Sequence, residues 1–516
     1  MAGQVIHDHV YDVVVLGTGA AGMTAAVRAA ADGARVGLFE RADMVGGTSA
    51  WSGGVAWLPN NRHEAEAGFQ DSRDDVLTYL ESLSHGLIER PMIEAFADTA
   101  PEVVDWLEAH TPVEFETLAG MSDYHPEQPG GRREGRSVEC PLFPFDELAE
   151  WAGQVTVGWQ LTGEFCMSES SLGRKAPNGL PSEELARRKI RDERGAGQAL
   201  VGRLLRGCLD HGVVPQTGCR GVRLLVEDGE VVGAEVEGPD GPFEARAGGG
   251  VVLATGGFEH DAKLVRTFLR GPLERAVSVP TNTGDALRMA MRIGADLADM
   301  REAWWVATID VEIPDRGLVP WQVNSERTRP HSIMVNDDGV RFTNEAANYN
   351  ALGNAFHVVD VARFAYVNHP AWLLLDHHFL AQYGLARHRP PAPTPGWLIE
   401  AARSPSSRTG SACRWAPCGP PCIGGTPTPR PAPILISTAE KVTMTERGAI
   451  PRSATPRRRR SVRWIPRRTT RRGSAAERWA RRAGRAPMST AGSWTWTARS
   501  STGSTRPATR WGRSWA

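Results

Sequence analysis

Tyr11-Asp12-Val13-Val14-Val15-Leu16-Gly17-Thr18-Gly19-Ala20-Ala21-Gly22 decides the fold of this chain. An apolar run of strand type enters a glycine turn, and the turn opens a helix-like stretch over 23–32. A second apolar run, Arg35-Val36-Gly37-Leu38-Phe39, ends in Glu40. Strand, glycine turn, helix, strand and acid are together the parts that hold a dinucleotide. Gly17 allows the tight turn, Gly19 lets the backbone approach a pyrophosphate, and Gly22 lets the helix pack close to the strand. At Ala20 and Ala21 the helix start offers free N–H groups and a positive dipole end to phosphates. Glu40 can accept hydrogen bonds from ribose hydroxyls. A glycine turn in an ordinary α/β protein is the competing reading.

A second small-residue loop follows the acid: Gly46-Gly47-Thr48-Ser49-Ala50-Trp51-Ser52-Gly53-Gly54. Loops so poor in side-chain bulk let a flat ring system lie against backbone amides. On these residues the chain resembles the fumarate-reductase and 3-ketosteroid-dehydrogenase group of FAD flavoproteins. Their GGTS-x-x-SGG stretch runs along the flavin. Val251-Val252-Leu253-Ala254-Thr255-Gly256-Gly257-Phe258 resembles the family's later strand and turn beside the FAD. Asn282-Thr283-Gly284-Asp285-Ala286 is similar to its T-G-D-G stretch, with Ala286 in place of the last glycine. Ile333-Met334-Val335-Asn336 and Arg341-Phe342-Thr343-Asn344-Glu345 resemble its substrate-domain hairpin. The five motifs occur in the family's order and cover about residues 10 to 400.

The resemblance implies an α/β chain: a Rossmann-like FAD-binding domain carrying an inserted α+β substrate domain. The expected boundaries are 1–280 for the FAD domain and 281–402 for the substrate domain. It implies FAD as cofactor, held by Gly17, Gly19, Ala20, Ala21, Gly22, Glu40, Gly46, Gly47, Thr48, Ser49, Ser52, Gly53, Gly54, Ala254, Thr255, Gly256, Gly257 and Asp285. No metal is expected.

The composition changes near residue 402. Residues 403–516 contain 23 Arg, one Lys and three Glu, a net of +21, so the net charge of −1 hides an acidic body. This tail has no Asp, Asn, Phe or Tyr, seven Trp, and almost no helical or strand periodicity. It is expected to be irregular, because it cannot bury enough apolar surface to offset ordering entropy. A basic nucleic-acid arm around Arg457-Arg458-Arg459-Arg460 is one reading, and a metal knuckle at Cys413, Cys418 and Cys422 another. Out-of-frame translation of GC-rich DNA accounts better for the composition. Taking the third base of one codon with the first two of the next forces Asp at Trp494-Thr495 and Trp496-Thr497. The same regrouping forces Gly at Trp479-Ala480 and Trp511-Gly512. The strings it permits over 431–440, 479–490 and 502–512 resemble the family's C-terminal segments, in order. On that reading the FAD domain lacks its C-terminal return, the substrate domain is truncated, and the chain as written is a non-functional relative.

The body carries no paired cysteine spacing at Cys140, Cys166, Cys208 and Cys219. No apolar leader precedes the first strand, and no stretch reaches about 18 apolar residues. A cytoplasmic protein with reduced thiols is expected. The acidic surplus argues against a nucleic-acid partner.

Flavin dehydrogenation of a carbon–carbon bond needs a base for the proton and donors for an enolate. The chain contains six Tyr. Tyr124 and Tyr349 fall where tyrosines of the steroid dehydrogenases line the active site, so both are candidate catalytic residues by resemblance. Tyr349 also stands where fumarate reductases carry a proton-donating arginine. Fumarate needs cations for two carboxylates, so a tyrosine there points to a ketone-bearing, steroid-like or cyclic substrate. The electron acceptor is open. Competing readings are a satisfied hairpin tyrosine for Tyr349 and a plain loop residue for Tyr124. The family's proton-abstracting tyrosine after the GLYAAGN-like region has no counterpart here. Trp304-Trp305 reads equally as substrate wall or as core. Arg132, Arg133 and Arg136 read as a solvated loop, and Glu345 as ordering its own loop.

Overall fold

The computed structural model describes residues 9–170, 173–176, 179–314, 316–401 and 434–437. Strand β1, Val10–Leu16, leads through the glycine turn into helix α1, Ala20–Ala31, and returns as β2, Val36–Phe39. The small-residue loop forms a short helix, α2, Gly47–Trp51. Helices α3, Arg73–Ser84, and α4, Arg90–His110, follow, then α5, Ala196–Asp210. A three-stranded meander comes next: β3, Arg220–Glu227, β4, Glu230–Gly238, and β5, Gly241–Leu253.

These strands make one sheet in the order β2-β1-β5-β4-β3. β1 is parallel to both β2 and β5, whereas β4 is antiparallel to β5 and β3. Side chains alternate along β1 as the period of two requires. Val15 faces a core shared with Met23, Val27, Leu204 and Leu205 of the two helices. Val14 and Leu16 face the opposite core with Ala234, Val236, Ala245 and Met289. Residues 227–230 turn β3 into β4 as a hairpin. Gly248, Gly249 and Gly250 interrupt the apolar alternation of β5 without ending the strand.

Helix α6, Asp285–Arg292, stops short of Leu297, although Met289, Ile293 and Leu297 are spaced for one helical face. Gly294 sits at φ +79°, and the chain leaves the helix there. Met289 is buried as expected, but Ile293 and Leu297 are exposed. The second body of sheet begins with the hairpin β6, Thr308–Ile313, and β7, Gly317–Gln322. Then come β8, Ser332–Asn336, helix α7, Tyr349–Phe356, β9, Ala371–Asp376, β10, Leu398–Ala401, and β11, Ile434–Ser437. The sheet order is β8-β9-β11-β10. Ile309, Val311, Trp321, Met334, Leu352, Leu373 and Leu375 pack into a core of their own.

The expected hairpin of 333–336 with 341–345 is reduced to one bridge, Val335 with Arg341. Asn336 ends the strand by accepting from the N–H groups of Asp338 and Val340. The Glu345 carboxylate, not a partner strand, receives the Met334 N–H at 2.9 Å. β11 lies within the stretch read as an irregular tail and pairs with β9 and β10. The remainder of that stretch, with its arginine run and Cys413, Cys418 and Cys422, lies outside the described residues. Among the described residues no helix is long and apolar enough to cross a membrane, and the four body cysteines are free and buried.

Candidate active site

The glycine turn closes tightly. Gly17 sits at φ +107°, and a Cβ there would lie 2.2 Å from the Ala254 carbonyl oxygen; one on Gly22 would lie 2.0 Å from the Gly17 oxygen. Any side chain at either position would therefore push apart β1, α1 and the 254–257 turn. Gly19 caps α1 without a side-chain bond. The Ala20 N–H reaches Ser49 Oγ at 3.0 Å, so α2 is fastened to the start of α1. A Cβ on Gly47 would meet nothing within 4 Å. The Ala20 N–H, expected to face phosphate, is thus taken by Ser49, whereas a helix start whose cap residue is glycine, beside a second glycine with open space, still fits a pyrophosphate and a ring system.

Glu40 stands beside this turn and is 8% exposed. Its Oε2 accepts from the Thr18 N–H at 3.0 Å and from Thr18 Oγ1 at 2.6 Å. Its Oε1 accepts from the Ala42 N–H at 2.9 Å. Oε2 is thereby filled, and Oε1 keeps a lone pair for a ribose hydroxyl. Thr18 Oγ1 also accepts from the Gly46 N–H at 3.1 Å. A residue in a variable position of the fingerprint thus ties the acid to the second glycine loop, and no spacing rule singles it out.

The other motif residues divide by what they touch. Thr48 Oγ1 accepts from Asn282 Nδ2 at 3.1 Å and joins α2 to the 279–282 segment. Thr255 Oγ1 accepts from the Ala286 N–H at 3.1 Å. Gly256 and Gly257 admit Asn282 and Glu259, whose side-chain oxygens would lie 2.6 and 2.3 Å from added Cβ atoms. Gly46 and Gly54 make room for Val201 and the Ala196 backbone of α5, and Gly53 for Met167. Ser52 Oγ donates to the Ser49 carbonyl at 2.8 Å and closes α2. The Asp285 carboxylate is committed to Arg220 at 2.9 and 2.7 Å and to Arg41 at 3.2 Å. Burial raises that carboxyl; the two arginines overcome the effect and hold it below its usual range.

Tyr124 and Tyr349 come together. Their hydroxyls are 2.5 Å apart, with Tyr124 donating, and the rings meet edge to face at 5.2 Å between centroids. Tyr349 begins α7, whose N-cap is Asn348. Tyr124 lies in a loop and keeps 41% of its surface exposed. Loss of solvent around its hydroxyl, then Tyr349, push the Tyr124 phenol above its ordinary value, so it stays a donor.

The segment holding Tyr124 corrects the reading of a solvated arginine loop. Arg136 is 1% exposed. It donates to Asp71 at 2.8 and 2.7 Å and to Asp123 at 2.9 Å. Its guanidinium lies 5.4 Å from the Tyr79 ring centroid and 5.7 Å from that of Trp57. Asp123 also accepts from Trp57 Nε1 at 2.7 Å and the Arg132 N–H at 2.8 Å. Asp71, from just ahead of α3, and Asp123, from the start of the same loop, draw Arg136 inward. Arg132 stays partly exposed against Asp75. Glu345 does order its own loop, through Arg341 and the Met334 N–H. Trp305 is core, packed where a Cβ on Gly353 would fall 2.2 Å from its own, whereas Trp304 is 79% exposed.

The family model described as an FAD binding domain matches residues 12–424. A 4-oxocyclohexanecarboxylate 2-dehydrogenase of Sinomonas cyclohexanicum is 37% identical over 77% of this chain and 69% of its own length. A 3-oxosteroid 1-dehydrogenase of Mycolicibacterium smegmatis is 34% identical over 75% of this chain and 71% of its own. Among solved structures, the 3-ketosteroid delta1-dehydrogenase of Sterolibacterium denitrificans, in complex with 1,4-androstadiene-3,17-dione, superimposes with a TM-score of 0.68. That match has 29% identity and covers 76% of this chain and 73% of that one.

Proposed function

The chain belongs to the FAD binding domain family and is an FAD-dependent oxidoreductase, and on that premise we propose that it dehydrogenates a carbon–carbon bond next to the ketone of a cyclic substrate. The substrate class is a 3-oxosteroid or a smaller ring ketone, as in the names of the relatives. The observation that carries this reading is the hydroxyl pair of Tyr124 and Tyr349 at 2.5 Å.

Bound FAD supplies the hydride acceptor. The protein's own part begins with Glu40 and Thr18, which set the turn where the ribose and phosphates bind. Gly17, Gly19 and Gly22 keep side chains out of that turn. Gly47, Thr48 and Ser49 present backbone and hydroxyl groups to the ring. At the other end of the reaction, Tyr349 acting as phenolate takes the proton from the carbon beside the ketone and ends as the neutral phenol. The Tyr124 hydroxyl donates to that oxygen and stabilises the negative charge it carries before the transfer. A shared hydrogen bond of this kind strengthens as the acceptor becomes more anionic.

Reduction of a dicarboxylate such as fumarate is the second reading. It needs cations on the substrate, and the position at the head of α7 is a tyrosine. The test is turnover of the purified chain with an artificial electron acceptor, offering a 3-oxosteroid, 4-oxocyclohexanecarboxylate and fumarate in parallel. Absorbance near about 450 nm reports the flavin in the same sample. Oxidation of either ketone is the expected outcome. Fumarate reduction, or a flavin-loaded chain inert to both ketones, rejects the proposal.

A further inference from the structure

Asn348 touches both tyrosine segments. Its Oδ1 accepts from the Ala351 N–H at 2.8 Å and caps α7. Its Nδ2 donates to the Tyr124 carbonyl at 2.9 Å and meets His125 Nε2 at 3.2 Å. The orientation of the amide follows from chemistry: the Ala351 N–H requires an acceptor and the Tyr124 carbonyl a donor. His125 then accepts at Nε2 and carries its proton on Nδ1, which faces Glu127 at 3.1 Å. Of the three contacts, one caps its own helix and two join it to a segment 224 and 223 residues away.

The two segments it joins are fixed from behind. On one side Asp123, next to Tyr124, is held by Arg136, Trp57 and the Arg132 N–H. On the other, Arg327 is 3% exposed and donates to the carbonyl of Ala347 at 2.7 Å and to that of Glu345. A buried arginine therefore braces the chain just ahead of each tyrosine, Arg136 through the Asp123 carboxylate and Arg327 through backbone carbonyls. Between the braces, the contact at the hydroxyls and the Asn348 amide span the gap.

We infer that Asn348 is a positioning residue that sets the register of the tyrosine pair through the Tyr124 carbonyl. Its functional side rests on the ketone-dehydrogenase reading above. Its geometric side does not.

Asn348→Asp separates this role from helix capping. The aspartate keeps an oxygen for the Ala351 N–H, and its charge suits a helix start. It replaces the donor that faces Tyr124 and His125 with an acceptor. Capping alone therefore leaves Asn348→Asp neutral, whereas positioning makes it harmful. The full chain labelled with 3-fluorotyrosine gives a readout without flavin or turnover. Tyr124→Phe and Tyr349→Phe assign the two fluorine resonances. The expected result is that Asn348→Asp shifts both resonances and keeps the melting temperature within about 2 °C of the parent. In the active enzyme kcat falls about 10–100-fold while KM and flavin content change less than about twofold. Unmoved fluorine resonances overturn the inference, and so does undiminished kcat in an enzyme that oxidises ketones. A parent chain that oxidises no ketone defeats the functional proposal alone, and the fluorine spectra still decide the role of Asn348.

Discussion

The hydroxyl of Tyr124 meets that of Tyr349 at 2.5 Å across 225 residues of chain. One tyrosine comes from a loop braced on α3, the other from the first position of α7 in the second body of sheet. Neither hydroxyl is spent on a backbone carbonyl of its own segment. Two phenols so placed make a donor–acceptor relay with its outer face open, which suits transfer of a proton to or from a bound substrate.

Tyr349→Phe removes the acceptor and leaves the ring in place. Turnover with a cyclic ketone should fall about 10²-fold, with KM changed far less. Flavin absorbance should be unchanged. Steady-state kinetics with an artificial acceptor checks this, and an unimpaired Tyr349→Phe enzyme removes Tyr349 from the chemistry.

Glu40→Ala should weaken FAD binding by about 1–3 kcal/mol, through lost ribose bonds and loss of the Thr18 anchor. Glu40→Gln keeps one acceptor and should lose less. Fluorescence titration of apo protein with FAD measures both. Equal affinity in all three proteins rejects the assignment.

How much of this site can be read from the chain depends on how local each part is. Gly17, Gly19, Gly22 and Glu40 lie within one βαβ unit, where spacing alone carries the geometry. Tyr124 and Tyr349 are singled out only by resemblance, and their meeting depends on the path of the chain between them. Arg136 reads as surface because Gly and Arg surround it; its burial is set by Asp71, 65 residues away, together with Asp123 at the far end of its own loop. Asn348 does leave a local trace, an Asn three residues before Ala351 at a helix start. That trace signals a cap and says nothing of the bond to Tyr124. The β5 strand is obscured by three consecutive glycines. Helix α6 is overestimated because its periodicity runs on past the glycine that ends it.

Arg136→Ala should destabilise the fold by about 3–5 kcal/mol, since it leaves the Asp123 carboxylate buried without a cation and Asp71 with Arg132 alone, 3.5 Å away. Arg136→Lys should recover only part of the loss, because an ammonium cannot fork onto both acids while lying flat between Trp57 and Tyr79. Denaturant unfolding monitored by circular dichroism provides the comparison. A Lys variant as stable as the parent contradicts the geometric argument.

Glu64 gives this same cluster a dependence on pH. It is 2% exposed, and its Oε1 has no hydrogen-bond partner among the described residues. Burial raises its carboxyl from 4.5 to about 7; Asp71 and Asp123 add to the effect and Arg136 opposes it. A folded-state value above the unfolded one means that the neutral acid favours folding. That contribution is complete below about pH 4.5 and disappears as the pH rises through about 7. Glu64→Gln cannot ionise and keeps the neutral shape. Its melting temperature should therefore gain on the parent by a few degrees between about pH 5 and about pH 8, and the gap should stay level above that. Thermal melts of the two proteins across this range decide the matter. A gap that is constant with pH shows Glu64 ionised throughout, and a gap that closes as pH rises reverses the sign of the argument.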